Sequence, residues 1–100
     1  MALTPEPEDV AGGIEMRESE IVEAIEKRVR GSKKFDYSIW TIGITNDPER
    51  RKTEHGDPTY WIAWKADTET NARNVESHFL EKGMKGGAGG GEHPTHVYVF

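Results

Sequence analysis

Between Glu15 and Phe100 the apolar positions switch between helical spacing and simple alternation, and each switch marks an element boundary. Ile21, Ala24, Ile25, Arg28 and Val29 share one face of a helix predicted from Glu15 to Arg30, with Gly31 as its stop. The stretch YSIWTIGIT, residues 37–45, alternates. It sets Trp40, Ile42 and Ile44 on one side and Tyr37, Ile39, Thr41 and Gly43 on the other, which predicts a strand inside a sheet. Asp47 and Pro48 open a short helix that stops near Gly56. DPTYWIAWK then turns into a second strand, with Tyr60, Ile62 and Trp64 opposing Trp61 and Ala63. A third helix starts among residues 67–70 and runs to Gly83, and THVYVF supplies a last strand. The order predicts an α/β chain of α+β type: a small, mostly antiparallel three-stranded sheet flanked by about three helices. Residues 1–13, MALTPEPEDVAGG, carry no apolar period and read as a disordered acidic leader to a single domain over residues 14–100. GMKGGAGGG, with six glycines in nine residues, reads as a mobile loop.

Composition sharpens this picture. A 100-residue chain that is 34% hydrophobic has a thin core, so its three Trp, three Tyr and three Phe must carry much of the burial. The net charge of -5 sits in residues 1–20, where six acids face Arg17 alone; the remainder is neutral. That remainder holds two basic blocks. One comprises Lys27, Arg28, Arg30, Lys33 and Lys34; the other comprises Arg50, Arg51 and Lys52. Each suits phosphate, and each also suits a solvated helix end. Without cysteine there are no disulfides or thiolate metal sites, and no apolar run is long enough to span a membrane. The reading is a soluble, cytoplasmic chain without membrane contact.

Three features bear on chemistry. In the third helix Ala72, Val75, Glu76, Phe79 and Leu80 share a stripe, so Glu76 places a carboxylate where apolar side chains belong and needs a cation, hydrogen bonds or a route to solvent. In the short helix Arg51 and His55 stand one turn apart, as a catalytic pair or as ordinary surface residues. His93 and His96, with His78 and His55 elsewhere, make a thin zinc pattern without cysteine.

TIGITNDPERRKTEH and ARNVESHFL together resemble the second motif, following helix and glutamate helix of GIY-YIG nuclease domains. Ile42, Gly43, Thr45, Asp47, Arg51, His55 and Glu76 carry the match, over about half the chain from Tyr37 to Met84. The resemblance implies that Arg51 stabilises charge on a scissile phosphate, that His55 assists, and that Glu76 anchors a divalent cation, Mg²⁺ or Mn²⁺. It also implies DNA as partner, with Arg50, Arg51, Lys52, Lys33 and Lys34 as phosphate contacts.

The chain departs from the family in having no Gly-Ile-Tyr strand ahead of the second motif, in carrying Thr41 where that motif has tyrosine, and in lacking the later asparagine. Threonine is a poor base at neutral pH. The last strand is therefore expected to take the missing strand's place and bring Tyr98 towards Arg51 and Glu76. Two functions stay open: a metal-dependent endonuclease of reduced or altered activity, using Arg51, His55, Glu76, Tyr98 and Thr41, and a catalytically inactive module binding nucleic acid or a protein partner.

Overall fold

The computed structural model describes residues 10–32, 36–86 and 93–100, with side chains from residue 15 onward in the first stretch. Its elements are β1 (Val10–Met16), α1 (Glu18–Arg30), a 3-10 turn (Tyr37–Ile39), β2 (Thr41–Thr45), α2 (Pro48–Glu54), β3 (Ile62–Ala66), α3 (Glu69–Glu81), β4 (Lys85–Gly86) and β5 (His96–Val99). The fold is α+β. Local chemistry sets the helix starts: Asp47 accepts a hydrogen bond from the Arg50 N–H at 3.1 Å ahead of Pro48, and Thr68 accepts one from the Asn71 N–H at 3.0 Å.

The three expected strands form the centre of the sheet. β5 lies between β3 and β2 and runs antiparallel to both. The expected three-stranded, mostly antiparallel sheet is nevertheless too small: β1 adds to β3 and β4 to β2, both in parallel, giving a mixed sheet of five strands in the order β1-β3-β5-β2-β4. Edge pairing is made by main-chain hydrogen bonds, which need no apolar period, so VAGGIEM left no strand signal. Glu15 pairs with Lys65 on the adjoining strand at 3.6 Å. Residues 10–13 of the expected leader therefore belong to the sheet, and α1 starts at Glu18 rather than Glu15. The leader's residues 1–9, the glycine loop's residues 87–91 and residue 92 lie outside the described residues, and the loop's Lys85 and Gly86 form β4.

The first predicted strand is also shorter than its alternation suggests. Asp36 Oδ1 accepts from the Ser38 N–H at 2.9 Å and from its hydroxyl at 2.6 Å, winding Tyr37–Ile39 into the 3-10 turn. Tyr37 then packs with Phe79 on the helix side, at 6.0 Å between ring centroids, and Ile39 is left 52% exposed.

Helices α1 and α3 cover one face of the sheet. Ile21, Ile25 and Val29 of α1 and Ala72, Val75 and Phe79 of α3 pack with Ile42, Ile44, Ile62, Trp64, Val97 and Val99 in the main core. Trp61, Ala63 and Tyr98 form a second buried cluster, with Phe100 against it. Alternation along β2, β3 and β5 places that cluster on the opposite face.

Candidate functional site

The smaller cluster becomes a site because α2 ends on it. The helix begins at Pro48, so Arg51 falls in its second turn and His55 caps its C-terminal end, donating its N–H to the Arg51 carbonyl at 3.0 Å. His55 then meets three rings from the sheet: Phe100 at 4.9 Å, Tyr98 at 5.5 Å and Trp61 at 6.3 Å between centroids. Its Nε2 lies 3.0 Å from the Tyr98 hydroxyl, a hydrogen bond that Tyr98 donates when Nε2 is unprotonated.

Gly43 explains how a fully buried tyrosine fits there. Gly43 and Tyr98 are direct partners across β2 and β5, and Ala63 is Tyr98's partner on β3. A Cβ at Gly43 would overlap the tyrosine ring: it would stand 2.8 Å from Cε2 and closer still to Cζ and the hydroxyl oxygen. With no side chain on one neighbour and a methyl on the other, the ring leans across β2, and Trp61 stacks against it at 4.4 Å with a 17° interplanar angle.

The electrostatics of the hydroxyl involve the other singled-out residues. Burial raises the Tyr98 pKa above the ordinary phenol value; the Arg51 charge opposes this, and the Glu76 and Glu54 charges add to it. Arg51 and Glu76 thus act on the same hydroxyl that His55 binds. Glu76 sits half-buried at the edge of the α3 stripe, where burial raises its pKa and the charge of Arg73 counters in part. Arg51, only 17% exposed, forms an ion pair with Glu54 at 3.2 Å. The Tyr98 hydroxyl thus touches the His55 imidazole beside the rings of Trp61 and Phe100, while the charges of Arg51, Glu76 and Glu54 act on it.

Thr41 stands apart from this group. It shares the face two residues along β2, where its main chain exchanges hydrogen bonds of 2.8 and 3.0 Å with Phe100. Arg50 is exposed and pairs with Glu54 at 3.8 Å, and Lys52 is half-buried on the same helix. Lys33 and Lys34 lie outside the described residues. The histidine pattern stays dispersed: His93 pairs with Glu69 at 3.1 Å and His96 Nδ1 lies 2.7 Å from the Thr95 hydroxyl. Among the described residues no three His, Asp or Glu side chains are grouped to enclose a metal ion. No described helix is long and apolar enough to cross a membrane.

Phe100 and Glu54 were not legible as candidate residues, and Trp61 read first as a core aromatic. The alternation assigned the aromatics to a core, and only the i, i+3 spacing from Arg51 could have singled out Glu54. Comparison of the chain with protein-family models, with curated proteins and with solved structures finds no match.

Proposed function

We propose that the Arg51–His55–Glu76–Tyr98 group is a GIY-YIG-like phosphodiesterase site acting on DNA. One observation carries the reading: the Tyr98 hydroxyl is held 3.0 Å from His55 Nε2 while the charges of Arg51 and Glu76 act on it. Phosphodiester hydrolysis needs a proton acceptor for water, positive charge beside the phosphate and an anchor for a cation, and these four side chains supply each.

Tyr98 is raised above its ordinary pKa, so it holds its proton at neutral pH and cannot act as a base alone. Its partner removes that difficulty. In this reading the arriving phosphate uncovers the Tyr98 hydroxyl, which is fully buried in the free protein. As a water molecule then attacks phosphorus, the water's proton passes to the Tyr98 oxygen and the tyrosine's own proton passes to His55 Nε2. The P–O bond to the leaving group breaks, the leaving oxygen takes a proton from solvent, and His55 is left as imidazolium. Arg51 stabilises the negative charge on the non-bridging oxygens, releasing Glu54 as the phosphate arrives. Trp61 and Phe100 fix the tyrosine and imidazole rings.

The donor set suits a hard divalent cation of the Mg²⁺ class, which keeps several waters and takes one or two carboxylates plus substrate phosphate oxygens. Glu76 would hold it, and its half-buried carboxylate would gain the positive charge that Arg73 supplies only in part. Such an ion supplies Lewis-acid stabilisation of the phosphate.

The Arg51–Glu54 pair favours a second reading, binding without cleavage, because an acid already occupies the guanidinium. Cleavage of supercoiled plasmid with Mg²⁺ or Mn²⁺, comparing the native chain with Glu76→Gln from matched preparations, separates the two. Cutting that disappears in the variant supports hydrolysis. Equal background in both leaves a binding module.

A further inference from the structure

Beside this site the fold leaves an open hollow of about 680 Å³ where α1 ends, β2 and β3 begin and β5 finishes, lined by Arg28, Ile39, Trp40, Tyr60 and Phe100 among others. Ile39 and Tyr60 are large hydrophobic side chains left 52% and 72% exposed. Its lining includes the side-chain donors of Arg28 and Trp40. Arg28 donates to the Tyr60 carbonyl at 3.3 Å, but its buried Nε and the buried Nε1 of Trp40 have no hydrogen-bond partner among the described residues. Burial lowers the Arg28 pKa, and no ion pair to a carboxylate offsets that burial among the described residues. A desolvated cation at the wall of an open hollow is relieved by a ligand that brings acceptors and negative charge.

We propose that this hollow receives one unpaired nucleotide of the DNA strand, its base against Tyr60 and Ile39 and its phosphate at Arg28. A nucleotide has the required combination of flat apolar faces, acceptor edges and an anionic linker, which an apolar peptide segment lacks. Phe100 joins the hollow to the catalytic group: it lines one wall, and its ring lies 4.9 Å from His55. A strand with a base in the hollow therefore passes its neighbouring phosphates towards Arg51 and Tyr98. The inference rests on the nuclease reading and narrows its substrate to DNA with a single-stranded or mispaired position next to the cut.

The test is fluorescence anisotropy in EDTA with a labelled 12-nucleotide single strand and the same sequence as a blunt duplex. Native protein, Tyr60→Ala, Tyr60→Phe and Arg28→Gln are compared. Tyr60 is exposed, so its variants keep the native unfolding midpoint. The single strand is expected to bind roughly tenfold more tightly than the duplex, the scale of one base stacked on an aromatic ring. Tyr60→Ala removes that preference without changing duplex affinity, Tyr60→Phe keeps it, and Arg28→Gln lowers the salt dependence by about one phosphate contact. Equal affinity for both forms, or a Tyr60→Ala protein with the native preference, overturns the hollow's role and leaves the nuclease reading standing. Absence of binding to either form overturns both.

Discussion

Replacing Gly43 by alanine tests the construction of the site at its tightest point. The new Cβ would stand 2.8 Å from Tyr98 Cε2, against the 3.4 Å at which ordinary contact begins, so that part of the ring must retreat by at least about 0.6 Å. Tyr98 has little room to do so. It is fully buried, stacked by Trp61 at 4.4 Å and tied to His55 at 3.0 Å. Overpacking of this kind costs about 1–3 kcal/mol, offset by the roughly 0.5–1 kcal/mol that alanine gains over glycine in unfolded-chain entropy. The net loss expected is about 1–2 kcal/mol, or a Tm lower by roughly 5–15 °C for a domain of this size. Thermal unfolding followed by far-UV circular dichroism measures it, and near-UV signal from Trp61 reports the local shift. Tyr98→Phe does not relieve the clash, since Cζ also overlaps, whereas Tyr98→Ala does. The penalty of Gly43→Ala should therefore vanish in the Tyr98→Ala background. A Gly43→Ala protein with native Tm and an undisturbed Trp61 signal would refute the packing argument.

The remaining predictions concern the polar groups. Glu76 is an acid whose folded pKa is raised, so the folded state binds the extra proton and stability falls as pH rises from the ordinary glutamate value through the raised one. Glu76→Gln is therefore expected to hold or raise Tm at pH 7, while Mg²⁺ raises the Tm of the native chain alone; a variant with lower Tm and the same Mg²⁺ response refutes this. Tyr98→Phe removes the hydrogen bond to His55, at about 0.5–1.5 kcal/mol in urea unfolding, and should slow plasmid cleavage by roughly 10²–10⁴-fold if the tyrosine relays a proton; full activity in that variant excludes the relay. The His96 pKa is lowered by burial and by the charge of Lys65, so its folded form stays neutral while the unfolded chain protonates near pH 6.5. Its contribution is present above that pH and lost below it, and the difference in urea midpoint between native protein and His96→Gln should shrink from pH 7 to pH 5.5.

The sequence carries the parts of this fold that depend on side-chain period. Helices α1 and α3 bury Ile21, Ile25, Val29, Ala72, Val75 and Phe79 as their spacing predicts, although Leu80 of the same stripe is left 41% exposed, and Asp47 with Pro48 marks the start of α2 to the residue. What escaped depends on the main chain. β1 and β4 pair through peptide groups with little side-chain pattern, and at Tyr37 the Asp36 side chain diverts an alternating run into a turn. The candidate group was legible in pieces: Glu76 by its place in an apolar stripe, Arg51 and His55 only through the resemblance to GIY-YIG domains, and Tyr98 only by asking what could stand in for a missing tyrosine. Trp61 and Phe100 were hidden because an aromatic on a strand signals burial whether or not it supports a functional group. The Arg51–Glu54 pair was hidden because i, i+3 charges are common on helix surfaces.

The strand order ties the site to the way the sheet closes. β5 is the last element in sequence and the central strand in space; it alone joins the β1-β3 pair to the β2-β4 pair. Without it the two pairs share no ladder, and Val97, Tyr98 and Val99, all fully buried, leave a gap through the main core and the aromatic cluster together. β5 meets β2 across more than fifty residues and β3 across more than thirty, so both of its ladders close long loops, as β1 does on β3 across about fifty. The residue that completes the polar group is thus also the residue that locks the sheet. Tyr98 can reach His55 only once β5 has paired on both sides, with Gly43 under its ring and Ala63 beside it. The Tyr98 hydroxyl and the His55 imidazole therefore come together only in the fully folded domain, and a partly folded chain with α2 and α3 already formed would lack the proposed relay.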